Sequence, residues 1–165
     1  PALLPQEHPL ARVDGVYNAV LLEGRAVGTL MFYGAGAGQM PTGSAVVGDV
    51  LAAARNLATG ARGINATGFA RAGEIVPMEE VETRYYLRLR VAPEPGIMKI
   101  VTGCCSAGGV EPASLKVKDW GAESAQLHIT TQRAREGAFR RVLASLVREP
   151  QIFTVEVALP IEGEG

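Results

Sequence analysis

The run Gly34-Ala35-Gly36-Ala37-Gly38 carries the most direct chemical signal in the chain, because it stands between a β-rich stretch and a helical one. A turn of that kind can aim backbone N–H groups and the positive end of a helix dipole at a phosphate or another polar edge of a cofactor. Gln39 follows Gly38, which breaks the dinucleotide fingerprint G-x-G-x-x-G, and no Gly-Lys-Ser/Thr follows to make a P-loop. The spacing leaves two readings open: a turn that faces a cofactor, or a structural turn whose glycines permit close packing.

The other reactive residue types lack partners in sequence. Ser44 has no neighbouring His or acid in a nucleophile pattern and reads as a residue of a helix start. Asp49 belongs on a solvated or interdomain helix face, and His128 on the polar face of a strand. Cys104 and Cys105 are adjacent, so they form neither a disulfide framework nor a Cys-x-x-Cys site, and they fit the packed side of a helix. Glu79, Glu80 and Glu82 precede Arg84, Arg88 and Arg90 in a charge run that suits a solvated face. No paired carboxylates and no metal-ligand cluster emerge, so no catalytic residue and no metal site is assigned.

These residues must be held by a small core. With 165 residues the chain builds one compact domain or two small ones. Lys plus Arg number 16 against 17 for Asp plus Glu, a formal charge of -1, which argues against nucleic acid and anionic membrane as partners. Hydrophobic residues at 47% exclude a disordered tail, and no apolar run reaches the ~18 residues of a membrane span. The opening Pro1-Ala2-Leu3-Leu4-Pro5 lacks the pattern of a signal peptide and reads as a cut inside a longer chain. A cytoplasmic protein with reduced thiols is expected.

Along the chain, Val16-Tyr17-Asn18-Ala19-Val20-Leu21-Leu22 and Val27-Gly28-Thr29-Leu30-Met31-Phe32-Tyr33 flank the turn formers Glu23-Gly24-Arg25 and predict a hairpin. After the glycine run, Val46, Val47, Val50, Leu51, Ala54 and Leu57 follow helical spacing. Residues 60–73 have the composition of a connecting segment and predict a boundary. Beyond it, Tyr85, Leu87, Leu89 and Val91 alternate with Arg84, Tyr86, Arg88 and Arg90 as in a half-buried strand.

A helical stripe of Ile97, Ile100, Val101, Cys104 and Cys105 comes next, stopped by Gly108-Gly109. Strands at about 110–118 and 124–131, a helix with Phe139, Val142, Leu143, Leu146 and Val147 on one stripe, and a strand at 152–159 complete the series. In that last strand Phe153, Val155, Val157 and Leu159 should share one face. The expected fold class is α+β: a hairpin and helix, then a ferredoxin-like βαββαβ unit with two helices on one sheet face. Its other face is expected to be bare and apolar, favouring association with a second copy.

Two stretches resemble bacterial homoserine dehydrogenases. The first is Asp14-Gly15-Val16-Tyr17-Asn18-Ala19-Val20, then Val27-Gly28, then the continuous run from Leu30 through Gly34-Ala35-Gly36-Ala37-Gly38-Gln39-Met40-Pro41-Thr42-Gly43-Ser44-Ala45-Val46-Val47-Gly48-Asp49. The second, Tyr85-Tyr86-Leu87-Arg88-Leu89-Arg90-Val91-Ala92-Pro93-Glu94-Pro95-Gly96-Ile97-Met98, resembles the opening of the ACT domain appended to many of them. Gly43 stands where the family more often has Ala. Pro93 and Glu94 occupy a turn where Asp is frequent, and His128 replaces a usual aliphatic residue.

The resemblance implies the C-terminal portion of a catalytic domain at 1–60, a linker at 61–82 and an ACT regulatory domain at 83–160. It implies hydride transfer between NAD(P) and the homoserine/aspartate semialdehyde pair, on the route to threonine, isoleucine and methionine, by a longer protein. The Rossmann fingerprint and the residues at the substrate would lie upstream, and the segment alone would bind no cofactor and be inactive. Gly38, with Gly36 and Gly34 in support, matches the turn that approaches the cofactor. Glu94, Gly96, Ile97, Met98, Gly109 and Val110 would take an amino-acid effector, threonine by family habit, at an interface between copies of a homo-oligomer. The alternatives are a free-standing amino-acid-binding ACT module and an oligomerisation domain. An isolated sensor would have no need of the block from Gly34 to Asp49.

Overall fold

The computed structural model describes residues 1–61 and 73–163. Residues 62–72, half of the expected linker at 61–82, lie outside the described residues. The chain is mixed α/β, with antiparallel sheets and three α-helices, and divides into two compact units, Gln6–Gly73 and Pro1–Pro5 with Glu74–Gly165.

In the first unit β1 (Tyr17–Gly24) and β2 (Gly28–Ala35) pair antiparallel from Tyr17 opposite Ala35 to Gly24 opposite Gly28, as the expected hairpin. Tyr17 and Tyr33 stack at its open end with ring centroids 4.9 Å apart. Helix α1 (Gln39–Thr59) begins after Gly38 and ends at Gly60, whose φ of 66° gives the left-handed cap that glycine adopts without a Cβ penalty. None of its residues is buried, and Val20, Leu22, Phe32, Val46, Val47, Val50 and Leu51 are all at least half exposed. Pattern and local geometry fold this unit, yet it has no core of its own.

The second unit has such a core. Strand β3 (Glu82–Val91) lies between β5 (Ala125–Thr131) and β7 (Ile152–Ile161), and β4 (Pro112–Trp120) pairs with β5, giving the order β4-β5-β3-β7 with every neighbour antiparallel. A two-residue β6 (Ala134–Arg135) pairs with Glu82 and Thr83, and Leu3 bridges in parallel to Ile161. Neither was anticipated, because two residues carry no periodicity.

Tyr85, Leu87, Leu89 and Val91 of β3 are buried with Leu127 and Ile129 of β5, beneath helix α2 (Ile97–Gly108) and helix α3 (Glu136–Leu146). The helices contribute Ile97, Val101, Cys104 and Cys105, and Phe139, Val142 and Leu146. Gly109, with φ 78°, caps α2 where expected. Val147 falls at the cap of α3 and is exposed, so the predicted stripe ends at Leu146.

Two expectations are corrected here. The first concerns β7, where Val155 lies opposite Leu89 but Val157 lies opposite Arg88, with a register shift between them. Glu156 is the extra residue at that irregularity, and one extra residue sends the following side chains to the other face. Val155 and Ala158 therefore pack on the core, and strict alternation fails.

The second concerns the uncovered sheet face, which was expected to be apolar and instead carries a polar network beside Val157 and Leu159. Arg90 Nε donates to Glu156 Oε1 at 2.8 Å, and Gln126 Nε2 to Glu156 Oε2 at 2.8 Å. Arg88 Nε lies 3.0 Å from the same carboxylate as an ion pair. Gln126 Oε1 meets His128 Nε2 at 3.0 Å, and His128 Nδ1 meets the Tyr86 hydroxyl at 2.8 Å. Because the Gln126 amide nitrogen is already donating to Glu156, its oxygen accepts from His128 Nε2–H, leaving Nδ1 to accept from Tyr86. The face is half-exposed and internally hydrogen-bonded, so it needs no apolar cover.

Close packing in this unit is tested at Gly108, where an added Cβ would strike the Val142 side chain of α3. Gly108→Ala should cost about 1–3 kcal/mol of stability by forcing the helices apart, read as a lower urea midpoint. The sheet face makes a prediction in acid. The Arg90 hydrogen bond foremost, opposed by desolvation and joined by Gln126 and Arg88, holds the Glu156 carboxyl below its ordinary value of 4.5. A carboxylate with a depressed folded pKa stabilises the fold above that range and loses its contribution as pH falls. Glu156→Gln should thus unfold earlier than the parent at neutral pH, and the two unfolding curves should converge as pH falls below 4.5.

Candidate functional site

The glycine run is positioned by the hairpin and α1. Gly34 is still in β2, opposite Asn18, and the Gly36 N–H donates to the Val16 carbonyl at 2.8 Å, extending the ladder one step past the strand. Gly38 stands at the N-terminal boundary of α1 with φ 125°, a conformation that L side chains rarely adopt, and its ideal Cβ position lies 3.3 Å from Pro41 Cδ. No side chain caps the helix. Pro41 has no N–H, and the Thr42 N–H donates to the Gly38 carbonyl at 3.1 Å, so Gln39 and Met40 supply the other amides of this turn.

The three glycines thus occupy one continuous backbone segment, each for its own reason. At Gly36 the reason is Asn18: an added Cβ would land within the Asn18 carboxamide, 2.6 Å from its Cγ. At Gly34 a Cβ would meet nothing within 4 Å, so the missing side chain leaves open space above the strand. Asn18, Ala19, Val20, Phe32, Tyr33, Gly34, Ala35 and Gly36 line a shallow hollow of about 340 Å³. Asn18 was not singled out from sequence; a carboxamide within the otherwise apolar stretch from Val16 to Leu22 was the available signal. The segment suits a polar cofactor edge chemically: it offers backbone amides at a helix start, a floor without side chains, and no carboxylate among the residues of the hollow.

The predicted effector residues are brought together only in part. Glu94, Gly96, Ile97 and Met98 share the start of α2, where Gly96 takes φ 98°. Gly109 and Val110 lie past its far end, about 18 Å away for a helix of 12 residues. Ile97 and Val110 are buried in the core, whereas Met98 is 37% exposed. The N–H groups of Ile97, Lys99 and Ile100 already donate to the carbonyls of Glu94, Gly96 and Gly96. One chain therefore keeps these two groups of residues apart.

Elsewhere in this unit, Tyr85 and Glu136 form a partly buried polar pair, with the Tyr85 hydroxyl donating to Glu136 Oε2 at 2.8 Å. Burial first, then the Glu136 hydrogen bond and charge, push the Tyr85 hydroxyl far above its ordinary range. Burial alone would raise the Glu136 carboxyl, but hydrogen bonds from Arg140 and Tyr85 outweigh it and hold it low. Phe139 stacks on Tyr85, with centroids 3.7 Å apart. A phenol held protonated and locked to a carboxylate under an aromatic ring is a structural clasp, and neither group is free to exchange protons at neutral pH. The buried Cys105 thiol is likewise pushed up, to about 11, by burial and by Cys104 beside it, which makes it unreactive.

Comparison with known proteins gives this geometry a family. The family model for homoserine dehydrogenase matches residues 1–51, which include the hairpin, the glycine run and most of α1. Among curated relatives, the homoserine dehydrogenase of Mycobacterium tuberculosis is 38% identical over 170 aligned residues, covering 100% of this chain and 38% of the relative. That of Bacillus subtilis is 33% identical, covering 100% of the chain and 39% of the relative. A crystal structure of a homoserine dehydrogenase from Thiobacillus denitrificans superposes with a TM-score of 0.73 at 29% identity, covering 98% of this chain and 38% of that one. The chain therefore spans about two fifths of the length of the relatives it matches. With the match running along essentially its whole length, the chain belongs to the homoserine dehydrogenase family and corresponds to a C-terminal portion of those enzymes.

Proposed function

We propose that the chain is the C-terminal part of an NAD(P)-dependent oxidoreductase that interconverts L-homoserine and L-aspartate 4-semialdehyde, with residues 1–60 closing the catalytic domain and residues 61–82 linking it to a regulatory domain at 83–160. The observation that carries the reading is the cofactor-compatible segment from Gly34 to Gly38 inside the stretch that the family model matches. In the whole enzyme the nicotinamide would accept or give the hydride. This chain's share is to hold a side-chain-free turn, Gly38 with Gly36 and Gly34 in support, against that cofactor.

The exposed apolar side chains of the hairpin and α1 support a partnership with further catalytic-domain structure of the same protein. A unit that leaves Val46, Val47, Val50 and Leu51 in water has its burying surface elsewhere. The order β4-β5-β3-β7 with two helices on one face supports a ferredoxin-like, ACT-type second unit. Feedback by an amino acid, threonine first, is the role proposed for it. Since Glu94 to Met98 and Gly109 to Val110 lie at opposite ends of α2, a neighbouring copy would complete each half-site. The open β4 edge, with exposed Val117 and Trp120, supports association, now that the outer face has proved polar.

The full-length protein should reduce NAD(P) in the presence of L-homoserine, whereas the 165-residue segment should not, because it lacks the residues that orient nicotinamide and substrate together. Spectrophotometric assay at 340 nm decides it, and homoserine-dependent turnover by the segment would overturn the assignment of roles. Threonine added to the full-length protein should release or absorb heat in calorimetry at up to millimolar concentration, while isoleucine and methionine serve as comparisons. Absence of any heat or thermal shift with all three would leave the second unit with assembly alone.

A further inference from the structure

We propose that Asn18 reads the carboxamide of the nicotinamide ring, with Gly34 as the floor on which that ring lies. The proposal rests on the cofactor reading above and adds a residue, a ligand group and a direction of recognition to it.

Four observations carry it. The hairpin register sets Asn18 opposite Gly34 and Val20 opposite Phe32, and residues paired in this way share a sheet face. Asn18, Val20, Phe32, Gly34 and Gly36 all line the hollow, and of the two glycines only Gly34 has open space where a Cβ would stand. The Asn18 carboxamide leans along the strand until it occupies the space of a Cβ at position 36, so Gly36 is fixed as glycine by Asn18, with no positive φ involved. Among the described residues the carboxamide makes no hydrogen bond, leaving an oxygen acceptor and two N–H donors without a partner in the fold.

The chemistry that complements these features is a flat ring with an amide at its edge. The ring's face can touch backbone at Gly34 because nothing projects from it, and Phe32 and Val20 can border its apolar sides. A carboxamide substituent would exchange two hydrogen bonds with Asn18, donating to its oxygen and accepting from its nitrogen. A phosphate or a carboxylate would engage only the Asn18 donors and leave its acceptor opposed by like charge. The geometry therefore favours the nicotinamide end of a dinucleotide over its pyrophosphate.

The experiment uses the full-length protein and measures binding, not turnover. Calorimetry would give Kd for the oxidised nicotinamide dinucleotide and for its 3-acetylpyridine analogue, which keeps the acceptor oxygen and lacks the amide donors. The parent should prefer the nicotinamide form. Asn18→Ala should weaken both ligands, the nicotinamide form by roughly fivefold more than the analogue because it alone loses the bond its amide donates to Asn18, so that the preference disappears. Gly34→Ala, whose methyl has open space in the fold, should weaken both ligands together by raising the floor. An unchanged ratio of the two Kd values in Asn18→Ala overturns the role of Asn18 while leaving the cofactor reading in place. Failure of the parent to bind either dinucleotide overturns both.

Discussion

The second unit depends on the double pairing of β3. That strand hydrogen-bonds to β5 on one side and β7 on the other, and it buries Tyr85, Leu87, Leu89 and Val91 in a row beneath two helices. Each such side chain contributes on the order of 1.5–3 kcal/mol on burial, and none can move without breaking two ladders. Tyr85 shows how the constraint spreads. Its backbone N–H donates to Thr131 Oγ1, its hydroxyl donates to Glu136 at the start of α3, and its ring stacks on Phe139. One residue on β3 thereby fixes β5 and α3 together. The other face of the same strand carries Tyr86, Arg88 and Arg90 into the hydrogen-bonded network around Glu156. A strand buried on one face and charged on the other allows only one register, because a slip of one residue would put three large polar side chains into the core.

The first unit follows the opposite rule. Its hairpin and helix are specified locally, by a two-strand ladder, a glycine turn and a glycine cap, with no buried residue in β2 or α1. A two-stranded hairpin is marginal in water alone, and a helix gains most of its stability from the face it buries. Val46, Val47, Val50 and Leu51 thus present a docking surface. This arrangement fits a piece whose task is to place a glycine turn accurately once its apolar faces are covered.

Much of this was legible in the sequence because period and punctuation are local. The alternation from Arg84 to Val91, the stripe from Ile97 to Cys105 and the stop at Gly109 all became structure where they were expected. What was not legible came from tertiary pairing. The irregularity at Glu156 leaves no mark in the pattern of Ile152 to Leu159, since Phe153, Val155, Val157 and Leu159 alternate as well as any regular strand. The polar outer face was misjudged for a related reason. Arg88, Gln126, His128 and Glu156 come from three strands, and only their register reveals one connected network instead of scattered surface groups. At the candidate site, the glycines announced themselves by type, whereas Asn18 did not. Its significance is a contact across the hairpin with Gly36, and no spacing along the chain encodes it.

The separation of the two proposed effector half-sites by the length of α2 shapes any regulation built on this fold. Ile97 and Val110 anchor the two ends of the helix in the core, so the ends cannot approach each other within one chain. A ligand as small as an amino acid, spanning well under the ~18 Å between them, could touch one end only. For such a ligand to shift an equilibrium it must bind one arrangement better than another, and a rigid single unit offers it no second arrangement. The differential contact must come from a movable partner surface, which makes assembly a condition of feedback. On that argument amino-acid sensitivity and the contact between copies would be lost together, and a purely monomeric form would be insensitive whatever residues it retained at the start of α2.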